Sequence, residues 1–311
     1  MFASSANIAT LQKRAFYLQQ VRAFFSARGV WEADVPLLSA ASVTDVNLEA
    51  LHCQVGGHQA FLQTSPEFYL KRLLAMGSGD LFYLGKAFRQ DESGPRHRPE
   101  FTLLEWYRCG LNTQQLSAEI IALIQHLQPE ITVQYSSYRQ LFIDRFGVNP
   151  HCATLAELTA VARQHYGVSW EDPERNTWLD LLFTHGIEPH MPAGLLVVTD
   201  YPASQCALAR LGVNAQGESI AERFEVYWGG LELANGYWEL TTAEEQATRF
   251  AADLKTRASL RKPLPPVDQH LLAALEAGIP DCAGVAMGID RLLMRLLGEA
   301  EIAAVMPFGN G

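Results

Sequence analysis

FRQDESGPRHRPEFTLLEWYR, residues 88–108, spans the end of one run rich in aromatic and β-favouring residues, Leu81–Asp91, and all of another, Pro99–Arg108. Between them lies a polar segment holding Gly94 and Pro95. This pattern predicts a strand, a loop and an antiparallel strand. Alternation puts Arg89 and Asp91 on one face of the first strand, and Glu105 and Tyr107 on one face of its partner. The loop carries Arg96, His97 and Arg98. Cations on a flexible loop beside a sheet suit a polyphosphate, and Arg89 is the natural clamp for charge on a reacting phosphate. Phe101 can offer a flat face to a base. A hairpin with a solvated basic loop would carry the same residues.

Two further segments extend the pattern. Phe224–Leu240 reads FEVYWGGLELANGYWEL, with Gly229 and Gly230 as a tight hairpin signal. Glu225, Glu232 and Glu239 recur every seven residues. Glu225 and Glu232 sit on opposite arms, where facing carboxylates would need a cation, and Mg²⁺ shared with nucleotide phosphates is the usual one. Solvent-facing glutamates are the plainer alternative. Gly284–Arg291, GVAMGIDR, leads small residues into a helix whose first turn carries Arg291. That suits close backbone approach to a ligand with a guanidinium over a base, although a Gly-x-x-x-Gly spacing by itself is more often a packing device. Ser65-Pro66-Glu67 either ends a strand and aims Glu67 into a pocket or caps a helix over 67–76.

The rest of the chain frames these segments. Apolar spacing predicts a helix over 11–28 closed by Gly29, then a short extended run, Val30–Leu38. Residues 111–215 read as mostly helical, with loops at Pro129, Pro150 and Pro173. A capping box, Thr242–Glu245, opens a helix to about Arg257. Helices are also expected over 268–277 and 289–297, with Ala283–Gly288 extended. Strand pairs alternating irregularly with helices predict an α+β fold with a mixed, mostly antiparallel sheet flanked by helices. No composition shift marks a boundary, so one domain is expected over 1–311.

The 311 residues are 48% hydrophobic and 19% charged, enough for a core and unlike a disordered chain. Lys and Arg number 24 against 34 Asp and Glu, which argues against a globally basic nucleic-acid surface and fits an acidic pocket for a cationic ligand. The apolar runs are too short to span a membrane, and the N-terminus shows no secretory pattern. The five scattered cysteines include no CxxC pair, so a reduced cytoplasm is the expected location. Cys53 reads as ordinary burial, and His185 and His190 as structural.

Taken together, these segments resemble the three signature motifs of class II aminoacyl-tRNA synthetases, in order: VRAFFSARGVWEADVPLL (21–38), FRQDE with RHRPEFTLLEWYR, and GVAMGIDRLLM. SPEFYLKRLL, RHRPEFTLLEWY and LELANGYWEL are similar to the lysyl-type subgroup. With the first motif beginning by about residue 11, no anticodon-binding domain is expected. A free-standing lysyl-type core of this length resembles the elongation factor P–(R)-β-lysine ligase family.

That resemblance implies a homodimer that activates (R)-β-lysine, or lysine, with ATP as an adenylate. The activated group then passes to a lysine of elongation factor P. It implies that Arg89 and Arg291 are catalytic. Arg89, Gln90, Asp91, His97, Arg98, Phe101, Glu232, Leu233, Gly288 and Arg291 would bind ATP, and Glu225 and Glu232 would bind Mg²⁺. Ser65, Pro66, Glu67, Tyr107, Asn235 and Glu239 would form the amino-acid pocket. Three positions depart from the family pattern: Asp91 where Glu is usual, Arg98 where Asn is frequent, and Ala286 where lysyl-tRNA synthetases usually have Gly. The alternatives are a synthetase-like enzyme charging tRNA and a non-catalytic regulatory paralogue. Presence of Arg89, Glu232, Glu239 and Arg291 argues against the latter.

Overall fold

A computed structural model describes residues 4–309; the outermost residues of the unit expected over 1–311, namely 1–3 and 310–311, lie outside the described residues. The chain begins with α1 (Ile8–Ser26), β1 (Trp31–Glu32), β2 (Leu38–Ser39), β3 (His52–Val55), β4 (His58–Leu62), α2 (Glu67–Ala75), β5 (Leu81–Phe88) and β6 (Glu100–Cys109). Its middle forms α3 (Thr113–Leu127), β7 (Val133–Ser137), α4 (Tyr138–Phe146), α5 (Leu155–Tyr166), α6 (Arg175–Leu182), β8 (Leu195–Thr199), β9 (Tyr201–Pro202), β10 (Leu211–Val213) and β11 (Ser219–Ala221). It ends with β12 (Arg223–Trp228), β13 (Leu231–Trp238), α7 (Ala243–Ser259), α8 (Gln269–Ala277), β14 (Cys282–Gly288) and α9 (Ile289–Leu297).

Eight strands form the main sheet in the order β1-β5-β6-β14-β13-β12-β8-β7. Only the edge pairs β1/β5 and β7/β8 are parallel, so the sheet is mixed and mostly antiparallel, as expected. Alternation divides its two faces. Leu104, Trp106, Val285 and Met287 join α1, α3 and α9 in the largest core. There Phe25 of α1 stacks on Phe82 at 4.7 Å and meets Trp106 edge-on at 5.2 Å. Such pairs contribute about 0.5–1.5 kcal/mol beyond their buried area. The odd-numbered positions of β6 and the even-numbered ones of β14 face the other way, toward the cavity described below.

The helix starts have local causes. Asn7 accepts from the Thr10 amide at the head of α1, and Gly29, at φ +71°, turns the chain from that helix into β1. Two expectations need correcting. Residues 111–215 are not only helices and loops: β7 and β8 complete the main sheet, while β9 and β10 join β11 in a small one. Short strands without strict alternation give little sequence signal. The α7 capping box does not form, since the Thr242 side chain makes no cap bond. Glu245 is drawn instead to Arg249, one turn on, which also donates to the Ala207 and Ala209 carbonyls.

Candidate active site

The open face of the sheet floors a cavity of about 770 Å³. Its walls include the loop Val43–Leu48, the start of α2, the loop between β5 and β6, and part of α7. Strand β13 delivers Asn235, Tyr237 and the following Glu239 to the cavity, two residues apart as a strand requires. Glu232 has the wrong parity for that face. The register against β12 supplies the reason: Val226 pairs with Ala234 but Tyr227 pairs with Glu232, so Leu233 is an extra residue. This bulge turns Glu232 onto the cavity side and leaves the Leu233 side chain in the core.

One cluster of side chains is acidic. Ser65 donates to Glu105 at 2.6 Å, and the Tyr107 hydroxyl donates to the other oxygen at 2.9 Å. Lys71 places its ammonium 2.6 Å from Glu67 and 2.7 Å from Glu239. Burial, reinforced by the Glu67 charge, pushes the Glu105 carboxyl up to about 8. Burial raises Glu239 to about 7 despite the neighbouring Lys71. Burial opposes the charge on Lys71, yet the Glu239 and Glu67 carboxylates hold its ammonium above the usual range. Gly284 makes room for this cluster, because a Cβ there would stand 2.4 Å from both Glu239 Oε1 and Tyr107 Cε1. Neither Lys71 nor Glu105 was among the expected site residues. The signals were present: Lys71 lies one helical turn from Glu67, and Glu105 alternates with Tyr107.

A second cluster is basic and aromatic. The Arg89 guanidinium sits 5.1 Å from the Phe101 ring centroid and donates to Glu92 at 2.9 Å. Arg291 donates to the Glu232 carbonyl at 3.0 Å, lies 3.4 Å from the Glu232 carboxylate, and contacts His97 Nε2. Burial first, then the Arg291 charge, lowers the His97 pKa, so its ring is neutral and accepts from Arg291. Asp290 fixes the start of α9 by accepting from Arg14 at 2.5 Å and from the Thr102 amide at 2.6 Å. Arg98 ties its loop to the chain end, donating to the Gly309 carbonyl at 2.6 Å.

Of the expected site residues, Ser65, Glu67, Arg89, His97, Arg98 and Phe101 line this one cavity. So do Tyr107, Glu225, Glu232, Leu233, Asn235, Glu239, Gly288 and Arg291. Gln90, Asp91 and Pro66 are absent from its lining. Asp91 does not share a strand face with Arg89, because β5 ends at Phe88 and Asp91 is exposed in a turn. The Gln90 amide is bonded to the Glu49 carbonyl, and Pro66 is the N-cap of α2. Cys53, expected to be buried, is exposed. His185 and His190 are exposed, away from the cavity lining.

The glutamate pair fits a divalent cation unevenly. Glu225 already accepts from Tyr201 at 2.6 Å and contacts Tyr227 and Arg223. Glu232 is freer, with a side chain 40% exposed. Partial desolvation of its carboxyl and the Glu225 charge raise its pKa, against the opposing charges of Arg291, Arg223 and Arg89. Glu188, raised to about 7 by burial and by Glu232, is a third nearby acid. Among the described residues no group of three or more His, Cys, Asp or Glu is arranged to hold a metal alone. The donor set therefore fits a cation that takes most of its ligands from phosphates and water, with Glu232 as the protein's contribution.

Comparison with known proteins places this geometry. The family described as tRNA synthetases class II (D, K and N) matches residues 2–311. A protein of Vibrio cholerae named elongation factor P–(R)-β-lysine ligase is 45% identical, over 98% of this chain and 96% of its own. Proteins of the same name from Mannheimia succiniciproducens and Edwardsiella ictaluri are each 44% identical, with the same coverage.

Proposed function

The chain belongs to the class II tRNA synthetase family of the D, K and N type, and from that membership we propose an ATP-dependent ligase that activates (R)-β-lysine or lysine and transfers it to a lysine of elongation factor P. The observation that carries this reading is one cavity holding both the Arg89 and Arg291 cations and the Glu67, Glu105 and Glu239 acids. A nucleotide and a multiply aminated guest need opposite charge, and here both meet on one sheet face.

In the proposed reaction the acidic cluster takes the amines of the guest, with Tyr107 and Asn235 beside it. Arg89 releases Glu92 and holds the guest carboxylate against the α-phosphate, replacing diffusive encounter by fixed geometry. Phe101 and Arg291 flank the base. The carboxylate attacks in line, pyrophosphate leaves, and Arg89 stabilises the developing charge. Mg²⁺ held at Glu232 would supply neutralisation of the phosphates. No protein nucleophile is required, because the adenylate is itself the acyl donor. The acceptor amine attacks the adenylate carbonyl, forms the amide and expels AMP.

We also propose that the chain is one catalytic unit, that it works as a homodimer and that it acts in the cytoplasm. Its five cysteines are unpaired, as suits a reducing compartment. Among the described residues no helix is long and apolar enough to cross a membrane.

The test is mass spectrometry of elongation factor P after incubation with this protein, ATP and (R)-β-lysine, with tRNA offered in a parallel reaction. The expected result is one added lysyl residue on elongation factor P and none on tRNA. Labelled tRNA with unmodified elongation factor P would replace this reading by tRNA charging.

A further inference from the structure

Lys71 is the residue of the acidic cluster for which the proposed reaction has no use. It lies in the first turns of α2, four residues after Glu67, so both side chains leave the same helix face. Its side chain is 2% exposed, and its ammonium bridges Glu67 on its own helix to Glu239 beyond β13. A buried lysine is expensive, and this one is held by two carboxylates in a pocket that the rest of the site uses for amines. Three carboxylates converge there, from α2, β6 and β13: Glu67, Glu105 and Glu239. The other titratable groups facing the cluster are the Tyr107, Tyr237 and Cys282 side chains. Burial holds all three neutral. Arg210 reaches only the backbone carbonyl of Glu239, at 3.1 Å, and spends its charge on Asp281. Lys71 is therefore the one cation in salt-bridge contact with these carboxylates, shared between Glu67 and Glu239, so three acids face one cation.

Resting on the ligase reading above, we propose that Lys71 is a specificity-determining positioning residue: its ammonium cancels one of three buried carboxylates and leaves the pocket matched to a guest carrying two ammonium groups. The residual charge, not only the shape, then selects diamino acids. A monoammonium amino acid of the same length leaves one acid unpaired or forces it to keep a proton. The raised Glu105 carboxyl agrees with this account, since it is the acid that Lys71 does not touch; Glu239, which shares Lys71 with Glu67, is raised less.

The test compares binding of lysine, with two ammonium groups, and norleucine, with one, to the parent chain, to Glu67→Gln and to Glu67→Gln/Lys71→Met by calorimetry, with ATP binding as a control. Glu67→Gln keeps the Lys71 charge and leaves one unpartnered acid, so the preference for lysine is expected to fall at least tenfold. Removing the buried ammonium as well returns the count to two. The double variant is expected to recover at least half of that loss on a logarithmic scale, with ATP binding within twofold throughout. A merely structural lysine would make the double variant worse, not better. A double variant no more selective than Glu67→Gln overturns the proposal. So does an unchanged preference in Glu67→Gln, which decides the matter alone should the double variant lack the parent's circular dichroism spectrum. Failure of the ligase reading is separate: selectivity that follows these charges, with elongation factor P unmodified, keeps the pocket and removes the acceptor. A parent chain with no preference for lysine overturns both.

Discussion

At the scale of single residues, the site works through charges whose partners are only partly satisfied. Arg89 is held by an exchangeable contact to Glu92 and a long one, 3.5 Å, to the Thr64 carbonyl, and lies over the Phe101 ring, so it can be redirected to a phosphate without repacking. Arg89→Ala is expected to lower ATP–pyrophosphate exchange roughly 100-fold or more, the scale of losing a key electrostatic contact, with an unchanged circular dichroism spectrum. Near-normal exchange would remove Arg89 from the phosphate step. Much of this was legible, because charged residue types at alternating or turn positions announce their chemistry. The position of Asp91 was not, since three residues past the end of β5 the alternation that assigned it a face no longer applies. Arg98 shows the same limit: its guanidinium is bonded to main-chain carbonyls, including one at the far end of the chain.

Elements supply the positions from which those residues act. The bulge at Leu233 is the clearest case. A seven-residue spacing would put Glu232 and Glu239 on opposite faces of a regular strand, and one inserted residue unites them. Gly284 works by omission. Gly284→Ala would drive a methyl group into Glu239 and Tyr107, an overpacking of about 1–3 kcal/mol. Amino-acid binding, measured by calorimetry, is expected to fall well beyond ATP binding; equal losses would deny that Gly284 serves the acidic cluster. Asp290 secures α9 and therefore Arg291. Asp290→Ala strands the buried Arg14 guanidinium, and loss of one partner of a buried pair costs about 3–5 kcal/mol. Urea denaturation is expected to show that loss, and a change under 1 kcal/mol would mean that the Val305 carbonyl and the Thr102 hydroxyl suffice to hold Arg14.

Over the whole molecule the acidic cavity couples ligand binding to pH. Glu105 and Glu239 have folded-state pKa values of about 8 and about 7, above those of an unfolded glutamate. Their contribution to stability is complete below the unfolded value and is lost as pH rises through 7 and 8. A guest with two ammonium groups restores partners to those carboxylates. Lysine is therefore expected to raise the melting temperature more at pH 8 than at pH 5.5, by calorimetry at fixed ligand excess. A larger rise at pH 5.5 would contradict the charge assignment. The same lysine titration should release protons, detectable as a dependence of the binding heat on the buffer.

The chain by itself determined the α+β class, the hairpins, the order of the signature motifs and the residue types of the site, because these rest on local periodicity, turn chemistry and side-chain charge. It also determined the family, which residues 2–311 match as a unit. Only the tertiary structure decided that Lys71 stands between two of the acids, that Glu225 is already occupied by Tyr201, Tyr227 and Arg223, and that β7 and β8 complete the sheet. Each of those depends on contacts between segments far apart in the chain. Burial, the removal of water from a charge, arises only when such segments meet, and no window of sequence contains it.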